Sequence, residues 1–137
     1  MTSQLELTLT NQPAEVARLQ DQLEAFARQH GLAERALHEV QLALEEHLTN
    51  LLSYGYEDPR EHLIRVRIQL NGPELRVEVA DDGRPFNPLE SPAPDLSKPI
   101  AERPIGGLGI HMIRKSVDQL EYRREAGQNI LVMIKLI

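Results

Sequence analysis

Residues 81–86 read Asp81-Asp82-Gly83-Arg84-Pro85-Phe86 and follow an alternating apolar segment that ends at Ala80. Two further segments lie on either side of this stretch: Glu46-His47-Leu48-Thr49-Asn50 on a predicted helix, and Gly106-Gly107-Leu108-Gly109 at the start of another. A polar helix turn, an acidic turn after a strand and a glycine-rich helix start, in this order, indicate one nucleotide pocket.

The segments around these motifs predict an α+β fold. Period-two alternation indicates strands, and apolar residues at helical spacing indicate helices. In chain order we expect a strand over 4–10, helices over 13–30 and 33–52, strands over 63–68 and 75–79 joined near Asn71-Gly72, a helix over 107–117, and strands over 119–124 and 129–137. Together they predict a two-layer α/β sandwich with a mixed, mostly antiparallel sheet and helices on one face.

The bulk composition narrows the class of protein. A chain of 137 residues with 41% apolar residues is expected to form one domain over 1–137. Its net charge of −6 argues against direct nucleic-acid or anionic-membrane binding, and the absence of cysteine excludes disulfides and thiol catalysis. The N-terminal segment has neither the basic region nor the apolar run of a secretory signal, so we expect a cytoplasmic protein.

A proline-rich stretch separates the acidic turn from the glycines. Six of the nine prolines lie between Pro85 and Pro104, where no regular element can continue. A loop of this length within a compact domain is usually functional or disordered. Lys98 and Arg103 are its basic residues, and either could reach bound phosphates, although a solvated loop charge is the ordinary role for each.

Glu46 and Asn50 lie one helical turn apart on the same side of the second helix. The amide oxygen of Asn50 suits Mg²⁺, which prefers oxygen ligands and is held by few protein groups plus phosphates and water. Glu46 would then be close enough to accept a proton from an attacking hydroxyl as general base. An ordinary solvated helix face would also present such a pair.

The glycines at 106, 107 and 109 favour phosphate binding at the start of the third helix. A glycine-rich turn lets unpaired backbone amides converge at the positive end of a helix dipole. No Gly-Lys-Ser or Gly-Lys-Thr follows, so this is not a Walker loop, and no strand directly precedes it, so it is not a Rossmann turn. A flexible helix start and an ordinary Asp-Gly turn at 81–83 remain the alternative interpretations.

The three motifs together resemble the N, G1 and G2 boxes of the GHKL (Bergerat-fold) ATP-binding superfamily. Asp81-x-Gly83-x-Pro85-Phe86-x-Pro88 and Gly106-Gly107-Leu108-Gly109-Ile110 resemble in particular the anti-sigma-factor serine kinases of the RsbW and SpoIIAB type. The resemblance implies that ATP and Mg²⁺ bind here, with the Asp81 carboxylate accepting a hydrogen bond from the adenine amine. Gly83 would let the backbone approach the base, and residues 85–105 would form the ATP lid.

The resemblance also implies an activity and partners. Such proteins phosphorylate a serine on a small antagonist protein, bind a sigma factor, and pair as homodimers through an N-terminal region such as the 4–10 strand. One departure is Tyr54, which stands where related sequences often have a basic residue or histidine. Two other functions stay open: a non-catalytic ATP-dependent binding switch, and a detached ATP domain of a two-component histidine kinase.

Overall fold

The structure is a computed structural model that describes residues 2–87 and 107–137. The elements follow the predicted order with small changes at their ends. They are β1 (Thr2–Thr10), α1 (Pro13–Gln29), α2 (Glu34–Asn50), a π-helical turn (Leu51–Gly55), β2 (Leu63–Asn71), β3 (Glu74–Asp81), α3 (Gly107–Ser116), β4 (Gln119–Glu125) and β5 (Gln128–Leu136).

The five described strands form one sheet in the order β1-β2-β3-β5-β4. All four pairs of neighbouring strands are antiparallel, so the parallel pairing implied by a mixed sheet does not occur among the described residues. The reason is the position of β5, which pairs with both β3 and β4 and thereby separates these two strands. β1 lies at an edge of the described sheet.

Short turns set the register of both hairpins. Between β2 and β3 the loop is Gly72-Pro73, because Asn71 still pairs with Glu74, and Gly72 has a φ of +60°. Between β4 and β5 the loop is Ala126-Gly127, with both residues at positive φ. Two-residue loops of this kind match the twist of antiparallel strands, which accounts for the tight connections.

The helices cover one face of the sheet, as predicted. Their buried side chains, among them Leu23, Leu44, Leu48 and Ile113, pack against the inward residues of the strands in the main core. The opposite face carries a second, smaller cluster made of Ala80, Ile130, Val132 and Ile134. β5 is therefore apolar on both sides, which fits its position between two strands.

The end of α2 continues directly into the π-helical turn, so the predicted helix end near residue 52 lies within this turn. Single π-helical turns are uncommon and frequently occur at functional sites. Here the turn brings Tyr54 and Gly55 next to the end of β3, where the main-chain N–H of Arg84 donates to the Gly55 carbonyl at 2.8 Å. The helix and the strand that carry two of the three motifs are thus joined directly.

Candidate functional site

A cavity of about 420 Å³ lies where the end of α2, the end of β3 and the β4–β5 hairpin meet. Its described lining comes from all three places. The lining residues are His47, Asn50, Leu51, Tyr54, Gly55, Asp81, Arg84, Pro85, Phe86, Tyr122, Asn129 and Leu131. Asn50, Asp81 and Pro85, which the sequence placed in two separate motifs, therefore line the same cavity.

Asn50 is the last residue of α2, and its side-chain amide makes no hydrogen bond to any residue that the structure describes. Its amide oxygen is therefore available to a ligand, and a neutral oxygen donor suits Mg²⁺. Glu46 lies one turn earlier and is partly buried, but it is not part of the described cavity lining. No group of three His, Cys, Asp or Glu side chains within 2–87 and 107–137 could hold a metal by itself.

Asp81 is the buried carboxylate of the site, with 2% of its surface exposed. Its Oδ1 accepts hydrogen bonds from the Gly83 N–H at 2.8 Å and from Asn129 Nδ2 at 3.1 Å. Burial raises the pKa of Asp81, while these two hydrogen bonds act in the opposite direction. Within the described chain Oδ2 accepts no hydrogen bond, so it is the oxygen left for a donor in the cavity.

Gly83 is required by a close contact between two backbone segments. A Cβ at this position would lie 2.7 Å from the Gly55 carbonyl oxygen and 2.9 Å from Asp81 Oδ1. From the sequence we expect Gly83 to let the backbone approach a base; the contact that the structure describes is with the π-helical turn. The glycine lets β3 end directly against that turn, which positions Asp81 beside α2.

Arg84 brings a positive charge to the position of Tyr54. Its guanidinium donates to the Tyr54 carbonyl through Nε at 3.0 Å and through Nη2, and its side chain lines the cavity. Among the described lining residues it is the only Arg or Lys. Tyr54 itself lies one turn beyond Asn50, so a cation from a different segment lies near the position where the family resemblance led us to expect a basic residue or histidine.

Sequence reasoning missed Asn129 and Tyr122. Asn129 is buried at the start of β5, and Tyr122 lies on β4, where its hydroxyl donates to Asn129 Oδ1 at 2.6 Å. The one local sign of Asn129 is a polar residue directly before the apolar run 130–134. Nothing in that run shows that β5 lies beside the acidic turn, since strand order depends on long-range pairing.

His47 is a partly buried polar group of the cavity wall. It precedes Asn50 by one turn, and its Nε2 is buried with no hydrogen-bond partner among the described residues. Burial lowers the pKa of His47 to about 4, so its imidazole is neutral at pH 7. His47 therefore adds bulk and a neutral ring to the cavity rather than a charge.

A polar cluster made of Tyr56, Asp58, His62 and Asp82 lies next to Asp81. The rings of Tyr56 and His62 stack with centroids 4.2 Å apart, and His62 contacts Asp58 and Asp82 through its two ring nitrogens at 2.9 Å each. The hydrogen bond with Asp58, supported by that with Asp82, raises the pKa of His62 against the effect of burial. Burial and the charge of Asp81 raise the pKa of Tyr56, whose hydroxyl has no partner among the described residues.

The predicted phosphate side of the site is described only in part. Gly107, Leu108, Gly109 and Ile110 form the first turn of α3, so the predicted helix start at the glycines is confirmed, and α3 packs against α2. Lys98, Arg103 and Gly106 lie outside the described residues, as do most of the predicted lid residues, 88–105. No helix in the described part of the chain combines the length and apolar content needed to cross a membrane.

A family model described as a histidine kinase-like ATPase domain matches residues 9–135. The chain belongs to this family. The GHKL resemblance drawn from the three motifs is thereby confirmed. Membership of an ATPase family also means that ATP is the nucleotide that this chain uses, which confirms that part of the cofactor prediction.

Three curated relatives of this family are similar over most of the chain. The serine/threonine-protein kinase BtrW of Bordetella bronchiseptica is 26% identical over 132 residues, covering 96% of this chain and 92% of BtrW. The serine-protein kinase RsbW of Bacillus cereus is 28% identical, covering 93% and 82%. The anti-sigma F factor of Clostridium beijerinckii is 29% identical over 101 residues, covering 72% and 69%.

A solved structure supports the fold. The structure of the RsbU and RsbW domains from Mycobacterium tuberculosis superimposes on 98% of this chain with a TM-score of 0.72 and 18% identity. This chain spans about a third of that longer chain, because the match covers 32% of it. At this identity the likeness establishes the architecture, and the α+β sandwich predicted from the sequence is confirmed.

Proposed function

We propose that this chain is an ATP-dependent serine protein kinase that phosphorylates a small antagonist protein and, in its other state, binds a sigma-factor-type partner. The observation that supports this most is the meeting of Asn50 and Asp81 at one cavity, although 31 positions separate them in the sequence. A site for a nucleoside triphosphate requires an oxygen donor for the metal at the phosphates and an acceptor for the amine of the base. Asn50 and Asp81 supply these two groups.

Asp81 binds the base end of ATP in this proposal. Its Oδ2 faces no described donor, while Oδ1 is already occupied by Gly83 and Asn129. The exocyclic amine of adenine supplies the missing hydrogen. Pro85, together with the exposed ring of Phe86, forms the apolar side of the base site.

Asn50 holds Mg²⁺, and this ion neutralises phosphate charge when bound. The amides around Gly106, Gly107, Leu108, Gly109 and Ile110 bind the phosphate oxygens at the start of α3. Arg84 is the cation of the described cavity lining that could serve the same phosphates, while Lys98 and Arg103, which lie outside the described residues, stay predictions from the sequence. Arg84 lines the cavity beside Tyr54, so the basic residue missing at position 54 does not leave this side of the cavity uncharged.

Glu46 acts as general base in the transfer step. Its carboxylate accepts the proton of the substrate serine while the serine oxygen forms a bond to the γ-phosphorus. The bond between the γ-phosphorus and the bridging oxygen breaks, and ADP leaves with the electron pair. Positioning and charge stabilisation supply most of the catalysis in such reactions, so a short set of residues is sufficient.

The partners are proposed by analogy with the relatives. One relative is named an anti-sigma factor and others are named serine-protein kinases, which fits a cycle that alternates between a sigma factor and a phosphorylated antagonist. A homodimer through the edge strand β1 belongs to the same proposal, because β1 exposes one unpaired edge in the described sheet.

A phosphotransfer assay tests this function. The antagonist is captured from an extract of the native cell with the purified chain, with and without ATP, and then incubated with γ-labelled ATP and Mg²⁺. We expect acid-stable label on a serine of the captured protein, and a loss of at least about a hundredfold in rate for Glu46→Gln with ATP binding retained.

Glu45→Gln is the matched control, because Glu45 is the adjacent, exposed carboxylate of α2. It should transfer phosphate at the wild-type rate. Acid-labile label would instead indicate a histidine kinase domain, and ATP-dependent capture without any label would indicate a binding switch. Full activity of Glu46→Gln would exclude Glu46 as the base.

A further inference from the structure

Asn129 uses both ends of its side-chain amide. Through Oδ1 it accepts hydrogen bonds from the Tyr122 hydroxyl at 2.6 Å and from Arg124 Nη1 at 3.1 Å. Through Nδ2 it donates to Asp81 Oδ1 at 3.1 Å and to the Arg84 carbonyl at 2.7 Å. The side chain is buried, with 6% of its surface exposed, so water cannot replace these partners easily.

The chemistry of these partners fixes the orientation of the amide. Arg124 can only donate, and so can the main-chain N–H of Phe86, which lies 3.4 Å from Oδ1. The Arg84 carbonyl can only accept, as can the carboxylate of Asp81 when it is ionised. A flipped amide would place donors against donors and acceptors against acceptors. Asn129 therefore presents a hydrogen-bond donor to Asp81.

We infer that Asn129 is the positioning residue through which the cavity selects a purine with a 6-amino group. Its donation to Oδ1 leaves Asp81 Oδ2 as an acceptor facing the cavity. An acceptor at this position matches the amine of adenine and opposes the carbonyl of a 6-oxo purine. This inference rests on the proposed function, because it requires the base of ATP to bind at Asp81.

The selection depends on the charge of Asp81. Burial raises the pKa of Asp81, and the hydrogen bond from Asn129 is the largest effect that lowers it. Without that donor a larger share of Asp81 would carry a proton. A protonated carboxyl can donate a hydrogen bond, so it would accept a 6-oxo purine that the ionised form rejects.

Other charged and titratable groups lie around Asp81, and one of them, His62, has a raised pKa and contacts the adjacent Asp82. The adjacent Asp82 raises the pKa of Asp81, while Arg124 on β4 lowers it. On the α2 side, His47 is neutral above about pH 4, and Tyr56 has a raised pKa, so neither changes charge between pH 6 and pH 8. The guanidinium of Arg84 also lines the cavity.

The same amide also holds the segment that leads toward residues 88–105. Nδ2 binds the carbonyl of Arg84 and Oδ1 accepts from the N–H of Phe86, so both sides of Pro85 are attached to one side chain. Asn129 thus sets the position of the apolar wall and of the carboxylate together. A single residue on β5 determines the shape and the polarity of the base site.

The test compares ATP with inosine triphosphate, which has a 6-carbonyl and an N1–H where ATP has the 6-amino group and an N1 acceptor. Both are titrated with Mg²⁺ into the wild type and Asn129→Asp at pH 6 and pH 8. The Asp side chain has the shape of Asn and still accepts from Tyr122 and Arg124, but it cannot donate to Asp81 when ionised. Two adjacent carboxylates would then share a proton.

For the wild type we expect ATP to bind at least about tenfold more tightly than inosine triphosphate, with the ratio similar at both pH values. For Asn129→Asp the ratio should fall at least about fivefold at pH 8 and further at pH 6. Asn129→Ala should change the ratio in the same direction. Gln128→Ala, whose side chain bonds Arg65, should keep the wild-type ratio.

The possible results distinguish a failure of the Asn129 inference from a failure of the proposed function. A folded Asn129→Asp, verified by its melting transition, that keeps the wild-type ratio at both pH values overturns the inference alone. If that variant does not fold, Asn129→Ala and the pH dependence of the wild type decide the question. The inference is overturned if Asn129→Ala keeps the wild-type ratio of ATP to inosine triphosphate affinity. It is also overturned if the ratio of the wild type varies between pH 6 and pH 8. A wild type that binds neither nucleotide refutes the proposed function.

Discussion

Replacing Gly83 by alanine tests the junction between β3 and the π-helical turn. The new Cβ would lie 2.7 Å from the Gly55 carbonyl oxygen and 2.9 Å from Asp81 Oδ1. Ordinary carbon–oxygen contacts are longer by several tenths of an ångström, so the two segments must separate. Two hydrogen bonds cross this junction or lie beside it: Arg84 N–H to the Gly55 carbonyl, and Gly83 N–H to Asp81, each 2.8 Å.

The size of the loss follows from these contacts. Overpacking of a rigid site costs about 1–3 kcal/mol, and weakening two hydrogen bonds adds about 1–2 kcal/mol. The reduced freedom of the unfolded chain returns about 0.4–1 kcal/mol when glycine becomes alanine. The net decrease in the free energy of unfolding should therefore be about 1–5 kcal/mol with a central value of about 3 kcal/mol, which corresponds to about 10 °C in melting temperature for a chain of this length.

Urea and thermal unfolding followed by circular dichroism measure this change. Gly55→Ala is the matched control, because its Cβ would meet the Cδ1 methyl of Leu51, a side chain that can rotate away. We expect the control to shift the free energy of unfolding by less than about 1 kcal/mol. A Gly83→Ala protein as stable as the wild type would show that the two backbones are not in close contact.

Three further changes test separate parts of the structure. Arg84→Met should weaken Mg·ATP binding about tenfold in calorimetric titration, while Arg65→Met on the opposite face should not; equal affinities would remove Arg84 from the site. His62→Gln should lower the melting temperature by about 2 °C more at pH 5.5 than at pH 9, because a raised His62 pKa stabilises the fold at low pH and this stabilisation is lost as pH rises through that pKa. The reverse pH dependence would contradict the Asp58 contact. Leu48→Ala, at a fully buried position, should cost about 2–5 kcal/mol in urea unfolding, and a loss below 1 kcal/mol would contradict its place in the core.

The spacing of apolar residues along the sequence was sufficient to predict much of the fold. Strand alternation, helical spacing and the apolar run of β5 located every described strand and α-helix, because most of these elements bury one face and repeat their apolar residues accordingly. The three motifs also pointed to Asn50 and Asp81, which lie at the end of a helix and the end of a strand and line the same cavity. They also gave the start of α3 at the glycines, where the helix begins at Gly107.

Long-range pairing determined what the sequence did not reveal. The position of β5 between β3 and β4 removes the expected parallel pairing and brings Asn129 next to Asp81. The contact of Arg84 with the Tyr54 carbonyl likewise joins segments 30 residues apart. Neither the strand order nor the contact between Arg84 and Tyr54 produces a periodic pattern in the sequence. A single sequence therefore cannot predict them.

The most direct test of the nucleotide site is the affinity of Mg·ATP for Asp81→Asn, measured by calorimetric titration beside the wild type. The Asn oxygen can still accept from Gly83 and Asn129, while its amide nitrogen replaces Oδ2 and places a donor against the adenine amine. We predict binding weaker by about thirtyfold or more, with a melting temperature close to that of the wild type. Equal affinities in the two proteins would contradict the assignment of this cavity as the ATP site.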